Sequence, residues 1–151
     1  MKDYKQSRGW RNNNPLNIKL SDAPWQGLCA AQTNGVFCKF IGMNFGYRAA
    51  MKTMQSYFLR FKSMGKPFTL DNIIRRWAPD GPEREERYIH VVVTKSGIGR
   101  HTVLPEPNSQ EAVEPFVKIF AAMTLHECGC PISEAPIEQI RNGIYLAYRH
   151  K

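Results

Sequence analysis

The segment Phe116 to Gly129, FVKIFAAMTLHECG, constrains this chain most. Phe116, Phe120 and Met123 recur at helical spacing, and Glu127 is the next position on the same stripe. A helix that turns this face into a core carries Glu127 inward with it. The carboxyl then stands at the inner end of the helix, where lost hydration raises its pKa. Gly129 lets the chain turn off the helix just beyond. The competing reading is a solvated carboxylate near a helix end, the commoner fate of a helical Glu. The two differ in chemistry. Only a sheltered carboxyl still holds its proton near neutral pH, as a general acid for breaking a glycosidic bond must.

The rest of the chain supplies enough material to enclose such a helix. With 151 residues, 42% of them hydrophobic, it makes one domain with a sizeable core. No apolar run reaches the ~20 residues of a membrane helix, so no membrane span is expected. The opening MKDYKQSRGW lacks the apolar centre of a secretory signal. The expectation is synthesis in the bacterial cytoplasm, with any action beyond it depending on another delivery route.

A net charge of +8 suits a polyanion: nucleic acid, an anionic membrane or an acidic cell-wall polymer. The cations are scattered, with short clusters at Arg75-Arg76 and Arg84 to Arg87 rather than a basic tail. That weakens the nucleic-acid reading. Cys29 and Cys38 flank an expected turn, and Cys128 and Cys130 are too close for an easy bond to each other. Free thiols are expected in a reducing compartment, with a Cys29–Cys38 disulfide as the alternative in an oxidising one. No CxxC pairs with His ligands occur, so neither a metal nor another cofactor is expected.

Along the chain, residues 1–9 read as a loosely held segment and residues 10–151 as a single domain. Asn12, Asn13, Asn14 and Asn17 crowd four amides around Pro15. Asn side chains bond back to nearby backbone and favour turns. Such groups either pin a buried loop or bind sugar hydroxyls and acetamides. Trp25 to Phe40 reads as two short strands around Gln32-Thr33-Asn34-Gly35, with Asn-Gly as the hairpin signal. Trp25 is either core or a flat platform for a sugar ring. Phe45 to Phe61 is the clearest helix, with Tyr47, Met51, Met54, Phe58 and Phe61 on one stripe and Asn44 as its cap. Thr69 caps a helix Leu70–Ala78 with Trp77 inward. Glu83–Lys95 forms another, unless its β-branched run makes a strand, and His90 reads as a packing residue within it. Pro115 fits a first helical turn, and Pro136 starts a last helix. The fold class expected is α+β, mostly α, with a small β-hairpin lobe.

Three stretches carry a resemblance. Arg11 to Ile18 (RNNNPLNI), Trp25-Gln26-Gly27, and Arg75 to Pro79 (RRWAP) followed by Tyr88 resemble phage and phage-derived proteins with an "RNNNPGNI … WxG … WAP … Y" pattern, often labelled virion structural proteins. Gly46-Tyr47-Arg48-Ala49 matches their "G.RA" element. Leu16 stands where the pattern has Gly, and Asp80 to Arg87 departs from it. Asn13 to Lys19 is also similar to the "NNLFGIK" segment of peptidoglycan glucosaminidases and muramidases of the lysozyme superfamily, which is likewise followed by W-x-G. In that family the catalytic Glu precedes the Asn pair in an "ESG" setting. Here His126-Glu127-Cys128-Gly129 is similar to "ESG" but lies near the other terminus, which implies a circularly permuted order.

The resemblance implies a lysozyme-like helical domain that cleaves glycan strands of peptidoglycan, as a muramidase or lytic transglycosylase, with Glu127 as general acid and base. Asn13, Asn17, Trp25 and Tyr88 would line the cleft. A second acid would come from Glu83, Glu85 or Asp80; the alternative for each is a solvated helix start. Beyond peptidoglycan, the partners it implies are a phage structural protein, a secretion-system component or an immunity protein. Action would be in the periplasm or cell wall, after delivery by a virion, holin or secretion system, the last as an antibacterial toxin effector. The alternative is a non-catalytic virion or injection-device protein that binds cell wall.

Overall fold

In the computed structural model, residues 3–149 are described, with the side chain of Arg149 left out. Six α-helices carry the chain: α1 (Arg8–Arg11), α2 (Met43–Ser63), α3 (Leu70–Trp77), α4 (Pro82–Ser96), α5 (Val113–Cys128) and α6 (Ile137–Arg149). Single 3₁₀ turns at Tyr4–Gln6, Gln110–Ala112 and Ile132–Glu134 lead into or between them. The mostly α class holds.

The β-hairpin lobe does not form. Among the described residues the 12–41 segment makes only two isolated bridges, Lys19 with Phe37 and Leu28 with Phe40. Side chains take the places that a ladder would need. The Gln32 amide donates to the Cys29 and Lys39 carbonyls at 2.8 and 2.9 Å and accepts from the Lys39 N–H at 2.8 Å. Asn34 Oδ1 accepts from the Val36 and Phe37 N–H groups. With those backbone groups satisfied locally, there is no drive toward a regular strand pair. The Asn-Gly signal marks the reversal correctly, but it cannot supply the strands. Cys29 and Cys38 are free thiols, as are Cys128 and Cys130.

Helix α5 is the centre. Phe116, Ile119, Phe120, Ala122, Met123 and Thr124 are all buried, so apolar or hydrogen-bonded surface faces inward on nearly every side. Its neighbours α4 and α6 pack along it, α2 lies along α6, and α3 along α4. Tyr47 of α2 reaches α5 through a buried 2.6 Å hydrogen bond with Thr124 Oγ1. Thr124 spends its one hydroxyl proton on the Phe120 carbonyl, so Tyr47 is the donor. Pro115 sits in the first turn of α5, where its missing N–H costs nothing.

Other ends differ in detail. Thr69 caps α3 as expected, accepting from the Asn72 N–H. Asn44 is not the cap of α2; Gly42 holds that position, and Asn44 instead donates to Asn142 Oδ1 across to α6. The β-branched run of α4 stays helical, and His90 is exposed on its outer face rather than packed. The loosely held N-terminal segment falls partly on Met1 and Lys2, outside the described residues. From Asp3 on, the chain is fastened: the Tyr4 hydroxyl donates to Glu134, and Ser7 caps α1. Asp71, Glu85 and Glu86 meet Arg75 and Arg100, and this network ties α3, α4 and the segment after α4 together.

The α2–α6 crossing is tight at Gly143. A Cβ there would lie 2.5 Å from the Asn44 carbonyl oxygen and 2.8 Å from the Arg48 nitrogen. Both are backbone atoms of a helix and cannot swing aside. Gly143→Ala should therefore cost about 2 kcal/mol net, because overpacking outweighs the gain in helix propensity. The expected drop in melting temperature is roughly 5 °C. An unchanged melting temperature would mean that the helices are free to move apart.

Candidate active site

Glu127 lies in the last turn of α5, and the helix stops there for a local reason. Gly129 adopts φ 79°, and its N–H returns to the Leu125 carbonyl at 2.8 Å. The carboxyl is held by groups from three other parts of the chain.

The first is the asparagine loop. Asn14 is 1% exposed; its amide donates to the Ile18 and Cys38 carbonyls and accepts from the Ile18 N–H, all at 3.0 Å. That clamp fixes the turn in which Asn17, at φ 56°, donates from Nδ2 to Glu127 Oε1 at 2.9 Å. Asn tolerates this left-handed backbone better than most residues. Gly9 of α1 makes room for it: a Cβ there would lie 2.7 Å from Asn17 Oδ1. The Cys128 thiol donates to the Pro15 carbonyl at 3.1 Å and fastens the same loop to α5.

The second contact comes from α4, where the Tyr88 hydroxyl donates to Glu127 Oε2 at 2.9 Å. The Tyr88 ring stacks on His126 with centroids 3.8 Å apart. The third is Trp77, at the end of α3, which lines a cavity with Glu127 and favours its anion.

Burial pushes the Glu127 carboxyl above its ordinary range, against the pull of the Asn17, Tyr88 and Trp77 donors. Burial and the adjacent carboxyl raise Tyr88 well above its usual value. His126 is pushed down by partial burial and by the charge of Arg87. The surroundings thus favour the protonated forms of Glu127 and Tyr88 and the neutral form of His126.

The carboxyl borders open space. A cavity of about 300 Å³ lies beside Tyr88, His126, Arg84 and Arg87, and one of about 310 Å³ beside Asn17, Lys19, Arg8 and Trp77. The two share Ala78, Asp80 and Glu127 as walls. A third, of about 320 Å³, shares Asn17, Lys19, Trp77 and Pro79 with the second and runs on to Tyr57 and Arg76. These adjoining cavities form a groove past Glu127 whose charged lining is five cations, Arg8, Lys19, Arg76, Arg84 and Arg87, against two carboxylates, Asp80 and Glu127.

Of the residues that the sequence nominates, Glu127, Asn17 and Tyr88 converge. Asp80 shares the groove walls and pairs with Arg84 at 3.3 Å. The others do not reach the carboxyl. Asn13 points to the Phe40 carbonyl at 3.0 Å and pins the loop. Trp25 lines a different cavity. Glu83 is solvent-exposed beside Arg87, as a helix-start Glu is. Glu85 bonds Arg75 at 3.0 Å and the Gly81 N–H at 3.2 Å, holding the start of α4. Trp77 and His126 were missed as site residues. Trp77 shares the inward stripe of α3, and nothing in the sequence separates an indole that packs from one that also donates. His126 adjoins Glu127, but its partner Tyr88 is visible only in three dimensions.

The arrangement is a set of adjoining cavities with a sheltered carboxyl on a shared wall. No protein-family model matches the chain. The chain is 35% identical over 114 residues to Protein P5 of Pseudoalteromonas phage PM2, a match covering 74% of this chain and 69% of that one. It belongs to the family of that phage protein.

The raised pKa of Glu127 has a testable sign. At about pH 4 and below, native and unfolded Glu127 are both largely protonated. As pH rises, the unfolded state releases its proton first, so stability falls until the native carboxyl has ionised too. Glu127→Gln removes this titration. The melting-temperature difference, wild type minus variant, should decline between about pH 4 and pH 8. A difference that stays level across that range would show an ordinary carboxyl.

Proposed function

We propose that this protein cleaves the glycan strand of peptidoglycan, with Glu127 as proton donor. The observation that carries the reading is a sheltered carboxyl on the wall shared by adjoining cavities whose charged lining is mostly cationic, with burial pushing its pKa up. A sugar polymer bearing carboxylates suits the charge of such a groove. The lysozyme-like resemblance of the asparagine loop and of His126 to Gly129 points the same way, and so does the pairing of Asn17 with Glu127.

In this reading, protonated Glu127 gives its proton to the bridging oxygen while the departing sugar becomes oxocarbenium-like. The carboxylate left behind accepts from Asn17 and Tyr88, whose donors favour the anion once the proton has gone. It can then act as base toward water or toward a muramyl hydroxyl, giving hydrolysis or an intramolecular ring closure. Asp80 is the other carboxyl on the same walls and the candidate to steady the positive charge.

A second reading is a cell-wall-binding or virion protein without activity. It is favoured by one observation: both Glu127 oxygens are engaged by donors of the chain itself, as a fastening carboxylate would be.

Purified sacculi separate the two. Wild type should release soluble muropeptides, and Glu127→Gln should release at least about 100-fold less, the scale expected for loss of a general acid. Mass spectrometry of the products distinguishes reducing from anhydro ends. Equal release by both proteins would reject Glu127 as the acid, and binding without release by either would favour the inert reading.

The pH profile carries a further expectation. Activity requires the protonated acid, so it should fall as pH rises through the elevated pKa of Glu127. Tyr88→Phe removes a hydrogen bond that favours the anion and should shift this alkaline limb upward. A downward shift would contradict the assigned role of the hydroxyl.

A further inference from the structure

A larger cavity, of about 490 Å³, shares no wall with the groove. It lies between the outer face of α2 and the segments carrying Trp25 and Asn108. Its polar groups are in an unusual state. Trp25 Nε1, Arg48 Nε and Asn108 Oδ1 are all buried without a hydrogen-bond partner. Elsewhere among the described residues this is true of only two side-chain atoms, Asn12 Nδ2 and Asn17 Oδ1. Three of the five such atoms thus belong to residues that line this one cavity, and a buried polar atom without a partner calls for an explanation.

Two cations line the cavity as well. Arg48 and Lys52 stand one helical turn apart, and no carboxylate lines the cavity. Arg48 makes no ion pair among the described residues, and burial pushes its pKa down. Lys52 is pushed down by burial and by the charge of Arg48. An oxyanion beside the Arg48 guanidinium would favour its charged form. Pro24, Leu59 and the Trp25 ring supply an apolar wall beside these polar groups.

We propose that this cavity is a second binding site, for a sugar-sized anion: a carboxylate or phosphate carried on a small hydroxylated ring. The oxyanion takes the Arg48 guanidinium and the Trp25 indole N–H, both donors. Asn108 Oδ1 accepts from a ring hydroxyl, and the ring lies against the Trp25 face. The unpartnered atoms are covered, so seating the ligand turns the Arg48, Trp25 and Asn108 side chains about their torsions. The proposal does not depend on Glu127 being catalytic.

The test is a nitrogen-resolved NMR titration that follows the Trp25 indole N–H, assigned by its loss in Trp25→Phe. The probes are glucuronate, glucose 6-phosphate, inorganic phosphate and neutral glucose. A saturable shift at millimolar glucuronate or glucose 6-phosphate, and about tenfold weaker binding of glucose, is the expected result. Which of the two sugars binds more tightly identifies the oxyanion. Arg48→Gln, with its melting temperature retained, should weaken binding about tenfold. If that variant does not fold, the titration of wild type and of folded Trp25→Phe, followed by ligand signals, decides alone. No saturable shift with either sugar anion would overturn the proposal. So would binding of glucose or of bare phosphate as tight as that of the sugar anions, or undiminished binding by folded Arg48→Gln.

Discussion

A helix that is apolar on nearly every side has to be surrounded, and α5 is such a helix. Phe116, Ile119, Phe120 and Met123 are fully buried, and together such side chains contribute several kcal/mol through surface taken from water. The surrounding elements follow from that demand. Helices α4 and α6 cover two sides, α2 reaches it through the Tyr47–Thr124 bond, and the short α1 with the asparagine loop closes the end. Because Glu127 continues the buried stripe, enclosing the helix also shelters the carboxyl. The unusual chemistry of that group is a by-product of the packing rather than an addition to it.

The asparagine loop is the second half of that arrangement. Backbone taken into a protein interior must have its N–H and C=O groups satisfied. The side chain of Asn14 does this for Ile18 and Cys38, Asn13 does it for Phe40, and Gln32 does it for Cys29 and Lys39. Amides thus replace the ladder of a sheet. The loop they build is irregular but well determined, and it presents Asn17 to the end of α5.

What could be read from the sequence follows the range of each interaction. Helical periodicity is local, so α2, α3 and the face of α5 were legible within a residue or two of their ends. Glu127 was legible because its stripe and the following Gly are also local. Asn17 and Tyr88 came from a family resemblance, and the contacts they make with Glu127 are geometric facts that no spacing shows. The hairpin was misread because Asn-Gly specifies a reversal, not a pair of strands, and nothing local reveals that Gln32 and Asn34 satisfy the backbone. Trp25 was grouped with the wrong cavity, since an indole is equally at home in either. Glu85 looked like a spare acid until Arg75 and the Gly81 N–H were seen to occupy it.

The bond between Asn17 and Glu127 joins residues 110 positions apart, and the Cys128–Pro15 contact joins residues 113 apart. Contacts of such long range close late, because the chain between them must first be gathered. During synthesis the asparagine turn leaves the ribosome long before the helix it has to hold, and its amides must wait for nearly the whole domain. The carboxyl pocket is therefore a timer as well as a place: it comes into being only when α5 has followed the asparagine turn into the fold.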